Sequence, residues 1–220
     1  MVIESKNIKK MTVIAVMCAF AYICTFVLHF KVSFLTFDFK DAIIAVTALM
    51  YGPISGLFCS GIVAFIEFIT VSDTGVYGLI MNFLSSAAFS CTAGLVYKYR
   101  RTFYGAIVSV VASVLSVIAV MLLANLLITP FYMGVSRSDV INIIPTLLLP
   151  FNAVKSILNA SLTLMIYKPF SIAFSRVSLI EKKSASNNIS SIILFICSLA
   201  VAAAAVIFFI FYLKGSVYAG

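Results

Sequence analysis

Hydrophobic and polar positions divide this chain into long apolar stretches separated by short polar ones. Stretches at about 11–30, 53–71, 76–97, 103–132, 150–169 and 191–213 approach or exceed about 20 residues, the length a helix needs to cross the hydrocarbon core of a bilayer. A shorter apolar run at 41–51 is stopped by Tyr51-Gly52-Pro53, and Pro53 suits the first turn of the helix that follows. Ser72-Asp73-Thr74-Gly75 reads as a polar turn, Tyr97-Lys98-Tyr99-Arg100-Arg101 closes the fourth stretch, and Gly134 to Asp139 reads as a polar loop. Within 140–170, Pro145 and Pro150 each remove a helical donor, so the pattern predicts a break before a main helix at about 150–169. Lys31 to Asp41 reads as an amphipathic connection. The prediction is an all-α integral membrane chain of seven membrane segments, the second of them short. It divides into a membrane domain over 1–174, a polar linker over 175–190, and a further C-terminal transmembrane helix over 191–220.

Composition agrees. Of 220 residues, 63% are hydrophobic and 10% charged, with mean hydropathy +1.18; a soluble domain of this length needs more polar surface. The net charge of +8 does not point to nucleic acid, because the basic residues sit in clusters between apolar stretches, where they orient a membrane protein. A cytoplasmic N-terminus puts Lys6, Lys9, Lys10, Lys98, Arg100, Arg101, Lys168, Arg176, Lys182 and Lys183 inside, and leaves Lys31, Lys40, Arg137 and Lys214 outside. The polar, Lys-rich start is read as leading into a retained first helix, not a cleaved signal. Cys18, Cys24, Cys59, Cys91 and Cys197 lie inside apolar stretches without metal-ligand spacing and are expected to behave as small buried hydrophobes.

Polar residues inside apolar stretches carry the functional signal, since each must face protein or water. Asn152, Lys155, Ser156 and Asn159 follow i, i+3, i+4, i+7 spacing and share one helix face. Two readings stand: the wall of a polar ligand pocket, with Lys155 donating to a carbonyl-rich ligand, or a snorkelling lysine beside interhelical hydrogen bonds. Asn125 and Thr129, four apart, are open to the same pair of readings, and Asn82 to pocket or packing. Glu67 is expected to reach headgroup water, and His29 to sit at the interface. No nucleophile–base pair, HExxH or Walker A loop is visible, so no enzyme activity and no catalytic cofactor are expected. Uphill transport would need its energy from elsewhere. Ala15 and Ala19, and separately Gly52, Gly56 and Ser60, form small-residue rows suited to internal packing or to docking another membrane subunit.

Four blocks together resemble the substrate-binding (S) components of energy-coupling factor (ECF) importers, and within them the riboflavin-specific RibU branch. They are Phe34-Leu35-Thr36-Phe37-Asp38-Phe39-Lys40-Asp41, Leu49 to Gly56 with its Tyr-Gly-Pro turn, Asn125 to Tyr132, and Leu149-Pro150-Phe151-Asn152-Ala153-Val154-Lys155-Ser156. The resemblance implies a six-helix S-component fold with a vitamin pocket near the outer face, in a bacterial plasma membrane, with the helix at 191–213 as an addition. It implies riboflavin, or also flavin mononucleotide, as transported ligand, and as partners a transmembrane coupling subunit and two cytoplasmic ATPases. Leu35, Thr36, Phe37 and Asp38 would line the pocket from a loop, Asn125 and Lys155 would hydrogen-bond the flavin, and Ala15 and Ala19 would dock the coupling subunit. Glu67-Phe68 and Ser156 depart from the family pattern. An S component for pantothenate or thiamin, and a membrane assembly subunit without a small ligand, remain as alternatives.

Overall fold

A computed structural model describes residues 2–32, 35–176 and 188–218. Its centre is the shortest of the expected membrane segments. Helix α2 (Lys40–Tyr51) is buried without interruption from Lys40 to Leu49, because α1 (Val2–Val27), α3 (Pro53–Thr70), α4 (Gly75–Tyr99) and α7 (Leu149–Arg176) all pack against it. A helix apolar on every side is one surrounded on every side. Its 12 residues span about 18 Å at 1.5 Å per residue, so α2 is the hub of the bundle, while among the described residues six longer helices have the length and composition to cross a membrane.

Small residues set the spacing around that hub. Gly52, at φ 95°, reverses the chain and donates its amide to the Ala48 carbonyl, which lets Pro53 open α3 at a position that needs no donor. A Cβ on Gly56 would lie 2.7 Å from the Ala48 Cβ, and one on Gly94 would lie 2.9 Å from the Pro53 Cα. Gly56 and Ser60 of the small-residue row are therefore spent on internal packing, with the Ser60 hydroxyl 3.2 Å from that of Ser90, whereas Gly52 serves the turn. Ala15 and Ala19, in contrast, lie on the exposed side of α1.

The connection expected to be merely amphipathic is a β-hairpin. Strands β1 (Phe30–Val32) and β2 (Leu35–Phe37) pair antiparallel with Phe30 opposite Phe37 and Val32 opposite Leu35. Each strand reads apolar-polar-apolar, which is the two-residue period of a strand. This small ribbon closes one end of the bundle.

Helix α5 (Phe103–Met133) starts where the Thr102 hydroxyl accepts from the Gly105 amide and ends at Gly134 in the left-handed region. The stretch expected as a loop and a proline break is more regular than that. Ser136 and Asp139 form a capping box for α6 (Arg137–Ile143), and a π-helical turn over Ile144–Leu148 leads directly into α7. Pro145 falls at the start of the π-helical turn and Pro150 just after it; the chain stays helical through both, with the wider turn falling where the prolines interrupt the regular ladder.

Helix α8 (Asn188–Tyr218) lies along α7. Its Ala205 and Phe209 join Phe37, Phe151, Val154 and Leu158 in one buried cluster, and the Tyr212 hydroxyl donates to the Pro145 carbonyl at 3.1 Å. Most of its other large side chains face outward and are apolar, as are those along α1 and α3, the surface that lipid requires. Cys197 shares that outward side, against the expectation of burial, whereas Cys18 and Cys59 are buried. The polar linker falls largely outside the described residues.

Candidate functional site

Two adjoining cavities lie at the hairpin end of the bundle. The first, about 120 Å³, sits between the hairpin, α4, α5 and α7. Apolar side chains (Leu35, Met81, Met121, Ile128, Phe151) form much of its wall, with Asn82, Asn125, Asn152 and Lys155 set among them. The second, about 410 Å³, is bordered by Thr25 of α1 and His29 just beyond its end, by Asp38, Lys40 and Glu67, and by the Ser72–Asp73 turn. Thr36, Thr74, Asn82 and Tyr132 line both.

A buried ionic chain runs along this end. The Lys155 ammonium donates to Asp38 Oδ2 at 2.8 Å and to the Thr36 carbonyl at 3.2 Å. Lys40 donates to Glu67 Oε2 at 2.5 Å and lies 3.5 Å from the same oxygen of Asp38 that Lys155 binds. Asn82 adds a donor to Glu67 Oε2 at 3.2 Å. Asp41, one residue on from Lys40, accepts from the Ser86 hydroxyl and, at 3.2 Å, from that of Ser85. Burial by itself would raise the Asp38 pKa; the ammonium groups of Lys155 and Lys40 outweigh it and hold the carboxyl below its ordinary range. The chain ties the hairpin to α7, and α2 to α3 and α4. Such groups are tolerated in an apolar bundle only because they answer one another.

Asn159 makes the other tie. Its Oδ1 accepts from the Ala42 amide at 2.9 Å, one of the donors that the first turn of α2 cannot satisfy internally. Its Nδ2 donates to the carbonyls of Asp38 and Lys155, both at 3.0 Å. No side chain of Phe39, the residue preceding α2, caps this end; Asn159 on α7 does so from a distance of more than a hundred residues in sequence.

The structure divides the predicted residues. Leu35, Thr36, Asn82, Asn125, Thr129, Asn152 and Lys155 converge on the first cavity. Asn125 accepts from the Thr129 hydroxyl at 2.9 Å and donates to the Met121 carbonyl at 2.7 Å; Asn152 donates to the Leu148 carbonyl at 2.7 Å. Asp38 borders the second cavity. Phe37 borders neither: its ring packs 4.4 Å from that of Phe151 and 5.1 Å from that of Phe209, centroid to centroid. The α7 stripe splits likewise, with Ser156 bonded to the Asn152 carbonyl at 2.7 Å and Asn159 capping α2. Glu67 corrects an expectation. It does not reach headgroup water but is 3% exposed, because Lys40 meets it inside the bundle. His29 is exposed, its Nδ1 3.0 Å from the Thr25 carbonyl. Tyr132 and Thr74 were not anticipated as wall residues; nothing in their local sequence separates them from interfacial or turn residues.

A bundle of membrane-spanning helices with two chambers at one end, walled by amides and charges, is the architecture of a multi-pass membrane protein built around an internal site. The chain belongs to the family of ECF transporter substrate-specific components, whose model matches residues 9–167. It is 25% identical over 178 residues to the riboflavin transporter RibU of Staphylococcus aureus (strain TCH60), an alignment covering 77% of this chain and 94% of that relative. Among solved structures, the S component of a bacterial ECF transporter has the same fold, with a TM-score of 0.65, 24% identity, and coverage of 77% of this chain and 99% of that one. The family match ends before α8. Proteins of this family are vitamin-uptake components that work with coupling and ATPase subunits, so the chain is a transport component of a multi-pass kind.

Proposed function

We propose that this chain captures riboflavin and hands it inward, with ATP hydrolysed by separate subunits. The carrying observation is the first cavity, an apolar slot whose edges hold three amides and one ammonium. A flat, apolar ring system bearing carbonyl and imide groups fits that division of labour: Met81, Met121, Ile128 and Phe151 take the ring faces, and Asn125, Asn152 and Lys155 take its polar rim. The riboflavin transporter among its relatives supports the same ligand. The flavin is cargo, not a catalytic cofactor, and no chemistry is asked of the protein beyond binding it differently in its outward and inward states.

The basic residues at the end opposite the hairpin, Lys98, Arg100, Arg101 and Lys168, support an N-terminus in the bacterial cytoplasm and cavities that open outward. The exposed Ala15–Ala19 face of α1 is assigned to the coupling subunit, since small residues let a partner helix approach closely. Residues 1–174 are the binding domain and α8 an accessory helix. The test is a titration of the purified protein with riboflavin, followed by quenching of flavin fluorescence. Saturable quenching in the nanomolar range is expected. Absence of quenching at micromolar concentrations, with pantothenate or thiamin binding instead, would overturn the flavin assignment while leaving the family standing.

A further inference from the structure

Helix α8 lies beyond the family match. Its outward side is apolar, as lipid requires, but its inner side reaches past α7. Ala202, Ala205, Phe209 and Tyr212 are three or four apart and share one helix face. Ala205 and Phe209 are buried, and Ala202 partly so, in the cluster that also holds Leu35 and Phe37 of the hairpin and Phe151 of α7. Leu35 and Phe151 are wall residues of the first cavity. The Phe209 ring meets that of Phe37 edge-on, with 5.1 Å between centroids, an arrangement that aromatic quadrupoles favour.

Three residues further on, Tyr212 answers a defect in the backbone. In the π-helical turn the Leu149 amide bonds to the Ile144 carbonyl. The same register would pair the Pro145 carbonyl with residue 150, which is proline and has no amide to give. The Tyr212 hydroxyl donates to that carbonyl at 3.1 Å, as an unanswered backbone acceptor demands. This bond fixes where along α7 the helix sits, and so where Phe209 falls. Through these two side chains α8 is joined to both the hairpin and the approach to α7, the segments on either side of the first cavity's wall.

We propose that α8 is a clasp on the hairpin: Phe209 holds Phe37 in place, Tyr212 sets the register of α8 on α7, and together they govern how often this end opens and how fast ligand enters and leaves. The consequence for ligand rests on the reading of the first cavity as the riboflavin site; the hold on the hairpin does not. Phe209 and Tyr212 line neither cavity, so they act as positioning residues. Contacts that break on opening, whether the cavity is filled or empty, slow entry and exit together and leave affinity unchanged. A residue that supports the bound ligand changes affinity chiefly through the release rate.

Stopped-flow flavin fluorescence on the full chain gives capture and release rates for the wild type, Tyr212→Phe, Phe209→Leu and the outward-facing control Phe211→Leu. Hydrogen exchange without ligand follows the amides of β2. Tyr212→Phe and Phe209→Leu are each expected to raise both rates about three- to tenfold, the equivalent of one hydrogen bond or one aromatic pair, with Kd held within about twofold. Exchange at Leu35–Phe37 should quicken in step, and Phe211→Leu, which is exposed, should change neither rates nor exchange. Unaltered rates and exchange in both variants reduce α8 to a lipid-facing addition and overturn the clasp. Faster release with unaltered capture overturns it too, because Phe209 then supports the bound ligand. Should Phe209→Leu fail to fold, Tyr212→Phe, which loses a single oxygen, decides. If no flavin binds the wild type, the riboflavin reading falls and exchange at β2 alone decides the clasp: faster in the variants supports it, unchanged overturns it.

Discussion

Replacing Lys155 by methionine keeps an unbranched stem of similar length and takes away the ammonium, so the change isolates the electrostatics of the site. Two interactions disappear: the 2.8 Å pair with Asp38 and the 3.2 Å bond to the Thr36 carbonyl. The side chains of that pair are 9% and 2% exposed, and removing one partner of a buried pair costs about 3–5 kcal/mol. Lys40, 3.5 Å from the same oxygen, still neutralises part of the charge, which puts the expectation at the lower end, about 3 kcal/mol. For a chain of this size that lowers Tm by roughly 6–12 °C. The double variant Lys155→Met with Asp38→Asn removes the stranded charge as well and should recover most of the loss. Wild-type Asp38, held below its ordinary range by Lys155 and Lys40 against the effect of burial, contributes stability that is present above the unfolded carboxyl pKa and lost as pH falls through the lower folded one. Removing Lys155 takes away part of that contribution, so the stability gap between wild type and single variant should shrink as pH falls through the same window. Riboflavin affinity should drop by about 5- to 150-fold, the equivalent of about 1–3 kcal/mol for an unsatisfied partner. Thermal unfolding in detergent without ligand, at about pH 7 and at about pH 3.5 on either side of the unfolded carboxyl pKa, and flavin titration read these quantities. If the single and double variants both melt within a degree or two of the wild type and bind riboflavin unchanged, Lys155 is a snorkelling residue and the site has been misread.

Asn159→Leu should lower stability by about 2 kcal/mol and raise hydrogen exchange at the start of α2, since the Ala42 amide and the Asp38 carbonyl lose their partner together; unaltered exchange there would contradict the cap. Gly56→Ala should cost about 1–3 kcal/mol through overpacking against Ala48 and Ser90, and Ala48→Gly in the same chain should restore only the part due to Ala48, less the cost of a glycine inside α2, in unfolding measurements. Phe209→Ala removes a ring that packs on Phe37; a loss of about 3 kcal/mol and faster riboflavin release are expected, and an unchanged release rate would separate α8 from the hairpin. Ala15→Trp, on the exposed side of α1, should leave riboflavin binding intact and abolish uptake in cells. Loss of binding without loss of assembly would refute a docking role.

The sequence by itself determined the environment and the number of long helices. Apolar stretches of membrane-spanning length are a local property, set by hydrogen-bond closure within each helix and by transfer of side chains to lipid. It also marked most of the first cavity's polar wall, because Asn125, Asn152 and Lys155 stand out against apolar neighbours, and their order along the chain matched a known family. Helix spacing could say that Asn152, Lys155 and Asn159 share a face, but not that the first two would turn to a cavity while Asn159 capped α2. That division depends on which element lies opposite each residue.

What only the tertiary structure decided involves partners far apart in the chain. Glu67 looks like a residue reaching for water until Lys40, 27 positions away, meets it at 2.5 Å. Phe37 belongs to a loop motif read as ligand-facing until α8 supplies Phe209 and draws the ring into a core. The brevity of α2 made it the weakest membrane segment by length, and packing on several sides made it the hub. In each case a buried charge, ring or helix terminus takes the position that answers its unsatisfied surface, and the group that answers it is chosen by the fold, not by the residues next to it in sequence.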